Sequence, residues 1–302
     1  MNLPGPIFSA RNSPPIRNMP ELPEVEVLVR HLAARIPGQT IRGVDVHRAR
    51  SIAPTSLTAL RGTIQGATFV GVTRRAKYLL FELQRPRSVE SVRLVGHLGM
   101  TGRMYLLAAG AALPKHAAVV LQLQKHRFVY EDVRGFGRLT LDDSSLSSLG
   151  PEPLGAEFSV ESFGAALGTS AQAIKVKLLD QSLVAGIGNI YASESLFRAG
   201  ISPRLAARRL RRPQIERLYF AIRTVLEEAI ASGTTMPLDF TGGTGKDGLF
   251  YYGSAEDNSE FYQERLLVYD RLGKPCHNCQ TPIKRILQAA RSTFFCPECQ
   301  RS

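Results

Sequence analysis

Apolar positions along the chain change period twice. In residues 23–35 they recur as Val25, Leu28, Val29 and Leu32, the i, i+3, i+4, i+7 spacing of one helical face. Pro23 suits the first turn of that helix, where a missing N–H costs nothing, and Glu24 and Glu26 suit its positive end. From residue 40 the pattern becomes short runs of β-branched and aromatic residues: 40–46, 67–72, 78–83, 91–98, 102–107, 118–124, 128–133 and 137–141. Gly, Pro and charged clusters separate them, which predicts an antiparallel sandwich or barrel and not βαβ units. Leu149-Gly-Pro-Glu-Pro-Leu154 breaks both periods and marks a boundary. Beyond it the pattern predicts helices over 174–180, 190–199 and 213–231. The last carries Ile215, Leu218, Ile222, Val225, Leu226 and Ile230 on one face, with Gly233 as its C-terminal cap. The Gly-rich polar stretch 241–259 reads as a loop. Residues 1–18, with Pro4, Pro6, Pro14 and Pro15 and no periodicity, read as a disordered extension.

Composition narrows the partner. The 302 residues are 44% hydrophobic and 21% charged, ordinary for a folded protein large enough to bury its own core. Lys and Arg exceed Asp and Glu by 38 to 26, and a net charge of +12 favours a polyanionic partner. No apolar run approaches the length of a membrane-spanning helix, and residues 1–18 lack the apolar core of a secretory signal, so no membrane partner is expected. All four cysteines lie in the last 27 residues and cannot staple the rest, which fits a reducing, cytoplasmic location.

Three motifs carry candidate chemistry. Cys276-x2-Cys279-x16-Cys296-x2-Cys299 has the spacing of two knuckles that wrap four thiolates around Zn²⁺. Four thiolates leave no open position, so the ion would be structural. The spacer reads as two strands with a turn near residues 288–290, and Lys284, Arg285 and Arg291 give it basic character. Val184-Ala-Gly-Ile-Gly-Asn189 opens a helix. Its glycines and free N–H groups suit a phosphate, with Asn189 as cap and donor, although no third glycine completes a dinucleotide fingerprint. Met19-Pro20-Glu21-Leu22-Pro23-Glu24 is the third. Were Met19 an initiator that is removed, Pro20 would present a secondary amine able to attack an electrophilic carbon, with Glu21 trading protons beside it.

These motifs resemble, in order, those of bacterial formamidopyrimidine-DNA glycosylases. The set is Pro20-Glu-Leu-Pro-Glu-Val-Glu26, Arg75-Ala-Lys-Tyr-Leu79, His97-Leu-Gly-Met-Thr-Gly102, Leu149-Gly-Pro-Glu-Pro-Leu154, Asp180-Gln181, Val184 through Phe197, and the four-cysteine finger. The resemblance spans residues 20–302. It implies an α+β multidomain fold: an N-terminal antiparallel β-sandwich over 20–152, a helix-two-turns-helix domain over 153–260 and a C-terminal four-cysteine zinc finger over 261–302. It implies a monomer acting on damaged double-stranded DNA, removing oxidised purines and then cutting the strand by β,δ-elimination. By motif, Pro20 is implied as the nucleophile at the sugar C1′ and Glu21 as its proton-transfer partner. Lys77 is implied in β-elimination, and Arg291 in δ-elimination and phosphate binding. His116, Arg134 and Asn189 match DNA-contacting positions, and Lys175 adds charge beside them. Met100, Arg134 and Phe136 match the residues that fill the gap left by an extruded nucleotide. Read from composition alone, Met100 and Phe136 would be core residues and Arg134 an ion partner of Asp132.

The chain departs from the pattern in four places. Gly135 stands where the family usually has a second Arg after Arg134. Thr169-Ser-Ala-Gln-Ala173 replaces a basic run, Ala289-Ala290 replaces a Gly-Gly turn before Arg291, and 242–259 diverges most. Two other functions remain open to these residues. One is an endonuclease VIII-like glycosylase for oxidised pyrimidines, although Leu22 after Pro20-Glu21 favours the purine branch. The other is a non-enzymatic zinc-finger protein that binds distorted duplex.

Overall fold

The computed structural model describes residues 19–86, 88–234 and 266–301. The expectations for residues 1–18 and for the 242–259 loop lie outside them. Helix α1 (Leu22–Ala33) buries Leu22, Val25, Leu28, Val29 and Leu32, the face its spacing predicts. All of the expected strands form: β1 (Gly43–Val46), β2 (Thr68–Arg75), β3 (Tyr78–Gln84), β4 (Ser91–His97), β5 (Gly102–Ala108), β6 (Ala117–Gln122), β7 (His126–Asp132) and β8 (Arg138–Thr140). They make two four-stranded sheets, ordered β1-β6-β7-β5 and β2-β3-β4-β8. Every pairing within them is antiparallel. Phe69, Phe81 and Phe128 meet between the sheets, Phe81 and Phe128 edge to face at 5.4 Å. This is the sandwich, and α1 packs against it through Val25, Leu28 and Leu32.

Two further helices carry no period that the sequence could show. Helix α2 (Leu57–Ile64) buries only Leu60 and Ile64, and α3 (Val160–Gly168) only Phe163 and Leu167. A single i, i+4 pair is too short to show a period. Both are marked instead by their caps: the Ser56 and Ser159 hydroxyls accept the N–H of Ala59 and Ser162. The helix expected over 174–180 is shorter. Helix α4 ends at Lys177 (Ile174–Lys177), because the Asp180 carboxylate accepts the Ser182 N–H and pairs with Lys177, closing a turn in its place. Helices α5 (Asn189–Arg198) and α6 (Arg212–Thr234) follow.

Strands β9 (Lys284–Gln288) and β10 (Arg291–Phe295) form the expected hairpin. Its Phe294 joins Tyr269, Cys276 and Cys296 in the apolar cluster of the helical region, so finger and helices share one core. The sandwich core is separate from it. Leu22 leaves α1 to pack into the helical cluster, which seats the start of α1 at the junction of the two halves.

Candidate active site and nucleic-acid face

Residue 20 is buried at that junction, directly ahead of α1. Glu21 follows it, 2% exposed, and its carboxylate reaches the head of α5. It accepts the backbone N–H of Gly188 at 2.8 Å, Ile190 at 2.9 Å and Tyr191 at 3.3 Å. A carboxylate of the protein therefore takes the N–H of the cap residue and two of the free donors of that helix terminus. Gly188 caps α5 and Asn189 is its first residue, which corrects the expectation that Asn189 is the cap. A second carboxylate, Glu24, accepts the Glu21 N–H at 2.8 Å and the Tyr191 hydroxyl at 2.6 Å. Burial raises the Glu21 pKa to about 7, with Lys77 opposing the rise and Glu24 adding to it.

Lys77 arrives from the other half. It sits in the two-residue turn between β2 and β3, where Arg75 pairs with Tyr78 and Ala76 takes φ +52°. Its ammonium donates to the Ile187 carbonyl at 3.0 Å. Enclosure lowers its pKa, attraction to Glu21 raises it, and the charge of Arg291 lowers it again. The turn is clamped by Glu152, which the sequence shows only as part of the domain boundary. The Glu152 carboxylate accepts the Ala76 N–H at 2.6 Å, Arg75 at 2.8 Å and Arg74 at 2.7 Å. Arg74 also pairs with Glu26 on α1 at 2.8 Å. Linker, hairpin and first helix are thus locked around Lys77.

The finger and the helical region close a third side. Lys175, fully buried, donates through Nζ to Asn189 Oδ1. Desolvation lowers the Lys175 pKa to about 8, against the pull of Glu21 and with the push of Arg291. Asn189 Nδ2 donates to the Ser292 carbonyl at 2.9 Å and to the Tyr269 hydroxyl at 3.2 Å, so its amide hydrogens tie α5 to the finger. Glu194, absent from the sequence-based candidates, accepts the N–H groups of Leu267, Val268 and Tyr269 and fixes the chain entering the finger. An acidic residue inside the apolar stretch of helix 189–198 is its only signal.

The remaining predicted residues lie on the sandwich, along one rim. Asp132 organises it: its carboxylate accepts the Thr101 hydroxyl at 2.6 Å, the Arg134 N–H at 3.1 Å and the Gly137 N–H at 2.9 Å. The Arg134 guanidinium does not pair with Asp132. It stacks over the Phe136 ring at 4.9 Å, and Phe136 is 46% exposed. The composition-only reading of Phe136 as core and Arg134 as an ion partner is therefore incorrect. Met100 is half-buried across the same rim, and the His116 carbonyl accepts the Asp132 N–H at 3.1 Å.

The four cysteine sulfurs converge. All lie within 4.8 Å of one another, Cys276 and Cys299 at 3.8 Å and Cys279 and Cys296 at 3.4 Å. A tetrahedron with Zn–S near 2.3 Å needs sulfurs about 3.8 Å apart, so the donor set fits one structural Zn²⁺. The ion would fix the finger that carries Arg291 and Ser292.

Family models match most of the chain: the formamidopyrimidine-DNA glycosylase N-terminal domain over residues 19–139, the formamidopyrimidine-DNA glycosylase H2TH domain over 149–239, and a zinc finger found in FPG and IleRS over 273–301. The chain belongs to the formamidopyrimidine-DNA glycosylase family. A formamidopyrimidine-DNA glycosylase of Desulfitobacterium hafniense is 41% identical over 289 residues, covering 93% of this chain and all of that one. One from Symbiobacterium thermophilum is 40% identical over 291 residues, covering 93% and 89%. Among solved structures, the Lactococcus lactis glycosylase bound to DNA containing an abasic site superposes with a TM-score of 0.81 at 33% identity, covering 93% of this chain and all of that one. The same enzyme with a FAPY-dG containing DNA gives 0.80 at the same identity. The glycosylase fold thus brings Glu21, Lys77, Lys175, Asn189 and Arg291 together from three regions of the chain, and leaves Met100, His116, Arg134 and Phe136 on the facing sandwich rim.

Proposed function

We infer that this chain is a DNA glycosylase and AP lyase of base excision repair that removes oxidised purines from double-stranded DNA. The observation that carries the reading is the meeting of Glu21 and Lys77 beside residue 20, Glu21 on the Gly188 N–H and Lys77 on the adjacent Ile187 carbonyl, with the charge of Arg291 felt at Lys77. A carboxyl group poised near neutrality and a lysine of lowered basicity, both enclosed, suit proton transfer at a sugar. In this reading the Pro20 nitrogen, once free, attacks C1′ of the extruded nucleotide. The N–C1′ bond forms, the damaged base leaves with its bonding pair, and the sugar opens to an iminium. Glu21 exchanges the protons these steps need. Loss of a C2′ proton then expels the 3′ phosphate with Lys77 in attendance, and a second elimination at Arg291 expels the 5′ phosphate.

The two faces divide the binding. Exposed Arg291 meets backbone phosphate, with buried Lys175 adding charge behind it, and Asn189 reaches a phosphate oxygen by releasing an amide hydrogen from the Ser292 carbonyl or the Tyr269 hydroxyl. Met100, Arg134 and Phe136 enter the gap left by the extruded base, and His116 contacts the duplex beside them. Residues 20–152, 153–260 and 261–302 are the working units, with DNA between the first and the other two. The protein acts as a monomer in the bacterial cytoplasm. Among the described residues no helix is long and apolar enough to cross a membrane. The pyrimidine-specific and non-enzymatic alternatives gain nothing from the site, the latter because binding alone needs no enclosed Glu21 and Lys77.

Borohydride trapping on a duplex with an abasic site, by protein that begins at Pro20, tests the reading. A covalent adduct through residue 20, and faster excision from 8-oxoguanine:C than from thymine-glycol duplexes, are expected. An absent adduct removes the lyase; the opposite base order moves the chain to the pyrimidine branch.

A further inference from the structure

Arg48 crosses the loop that carries Arg134 and Phe136. It stands just ahead of a short 3-10 turn (Ala49–Ile52), and its N–H and that of His47 donate to the Ala118 carbonyl at 3.2 and 2.9 Å. Its Nη1 donates to the Asp132 carbonyl at 2.5 Å. The guanidinium lies against Gly135. A β-carbon there would fall 2.9 Å from Nη1, 3.5 Å from Cδ and 3.7 Å from Cζ, and Gly135 holds φ +69°. A side chain at 135 and Arg48 in this place exclude each other.

The guanidinium is underused. It has five N–H donors in a planar fork, and one of them is spent on Asp132 O. Among the described residues no carboxylate forms an ion pair with it. The residue is half-buried, held by its stem with its remaining donors unspent. It is also flanked by the rim. The Asp132 N–H donates to the His116 carbonyl on one side, and Arg134 and Phe136 bracket Gly135 on the other.

We propose that Arg48 binds a DNA backbone phosphate beside the wedge of Arg134 and Phe136, and that residue 135 is glycine to leave its guanidinium room. This rests on the reading that duplex DNA lies along the sandwich rim. The fork of a guanidinium matches two phosphate oxygens, and a guanidinium pinned at one nitrogen loses little freedom on binding. The motif departure follows from the same geometry. Where the resembling pattern places an arginine at 135, this chain brings one across from 48.

The test measures equilibrium binding of the full chain to a duplex with a stable abasic analogue, over a range of salt, for the wild type, Arg48→Ala, Arg48→Lys, Gly135→Arg and the double variant Arg48→Ala/Gly135→Arg. One lost phosphate contact lowers the slope of log K against log salt by about 0.9, so the wild-type advantage over Arg48→Ala should shrink about 3.5-fold between roughly 50 and 200 mM salt. Arg48→Lys keeps the charge and should keep the slope while losing part of the affinity. Gly135→Arg alone should bind more weakly than the wild type, and the double variant should recover the slope. An unchanged slope in Arg48→Ala, with the affinity loss matched by a fall in melting temperature, would make Arg48 a structural residue and overturn the proposal. A double variant no better than Arg48→Ala overturns the exclusion between 48 and 135. A wild type that does not bind the duplex at all sinks the underlying reading instead.

Discussion

Gly188 and Glu21 touch so closely that a β-carbon on the glycine would lie 2.2 Å from the carboxyl carbon of the glutamate. No rotamer adjustment at Gly188 relieves a contact that short. The glycine is what lets Glu21, just ahead of the first helix, reach the head of the fifth, and so joins the two halves.

Gly188→Ala should therefore act on both stability and chemistry. Displacing a buried carboxylate from three N–H donors costs on the order of 2–4 kcal/mol. The trapping rate should fall by about 100-fold or more, since the proposed proton-transfer group is moved. Thermal melts and single-turnover trapping check the two effects. A variant that keeps its trapping rate would show that Glu21 need not sit at the head of α5.

The raised Glu21 pKa gives a pH signature of definite sign. With residue 20 in peptide linkage, the folded value is about 7 against an ordinary 4.5. Between those values the folded state binds more protons than the unfolded state, so stability falls as pH rises through the window, by roughly 3 kcal/mol at most. Glu21→Gln should flatten that fall, measured by urea midpoints at about pH 5 and pH 8. Stability that rises across the window would contradict the enclosed carboxyl.

The finger turn carries a different strain. Ala289 and Ala290 take φ +46° and +59° between the paired residues Gln288 and Arg291. A left-handed alanine costs about 1–2 kcal/mol, and glycine gives back roughly 0.4–1 of that by loosening the unfolded chain. The relief should win by a few tenths to about 1 kcal/mol per site. Ala289→Gly with Ala290→Gly should thus slow zinc release to a chromogenic chelator. Faster release would mean that the alanines hold the turn better than glycine does.

Much of this is legible in the chain. The sandwich is, because its strands alternate and its aromatic residues cluster; so is the zinc site, because four cysteines at that spacing have little else to do. The Gly-Ile-Gly-Asn turn is legible only in part. Glycine reports close approach but not what approaches, and at Gly188 the visitor is Glu21, distant in sequence. Glu152 is invisible for a related reason. Its role is to accept from Ala76, Arg75 and Arg74, and a lone Glu between prolines signals none of them. Short helices with one buried pair leave no period to find.

Zinc removal should separate the two cores. The finger shares its apolar cluster with the helices through Tyr269, Cys276, Phe294 and Cys296, whereas the sandwich core has none of these residues. Structural zinc sites contribute folding energy directly. Chelation should loosen the finger, weaken its grip on Asn189 and abolish duplex binding, while amide protons of the sandwich stay protected. Full affinity in the chelated protein would detach the finger from DNA binding.

The last expectation concerns residue 20 itself. Joined to Met19, the Pro20 nitrogen is an amide, delocalised into its carbonyl, and has no lone pair to give a sugar carbon. A Pro20-dependent lyase therefore requires the bond between residues 19 and 20 to be absent. Translation from Met19 followed by removal of that methionine achieves this most simply, because a small residue such as proline in second place permits the removal. Cleavage by a protease after residue 19 is the other route. Once freed, the amine would stand beside Glu21, the proton-transfer partner proposed for it. Intact mass of the active protein should begin at Pro20, and the same chain carrying residues 1–19 should not trap on an abasic duplex. An adduct from protein that still begins at Met1 or Asn2 would show that another amine is the nucleophile. Lys77, enclosed and of lowered basicity against Glu21, would then be the first to replace.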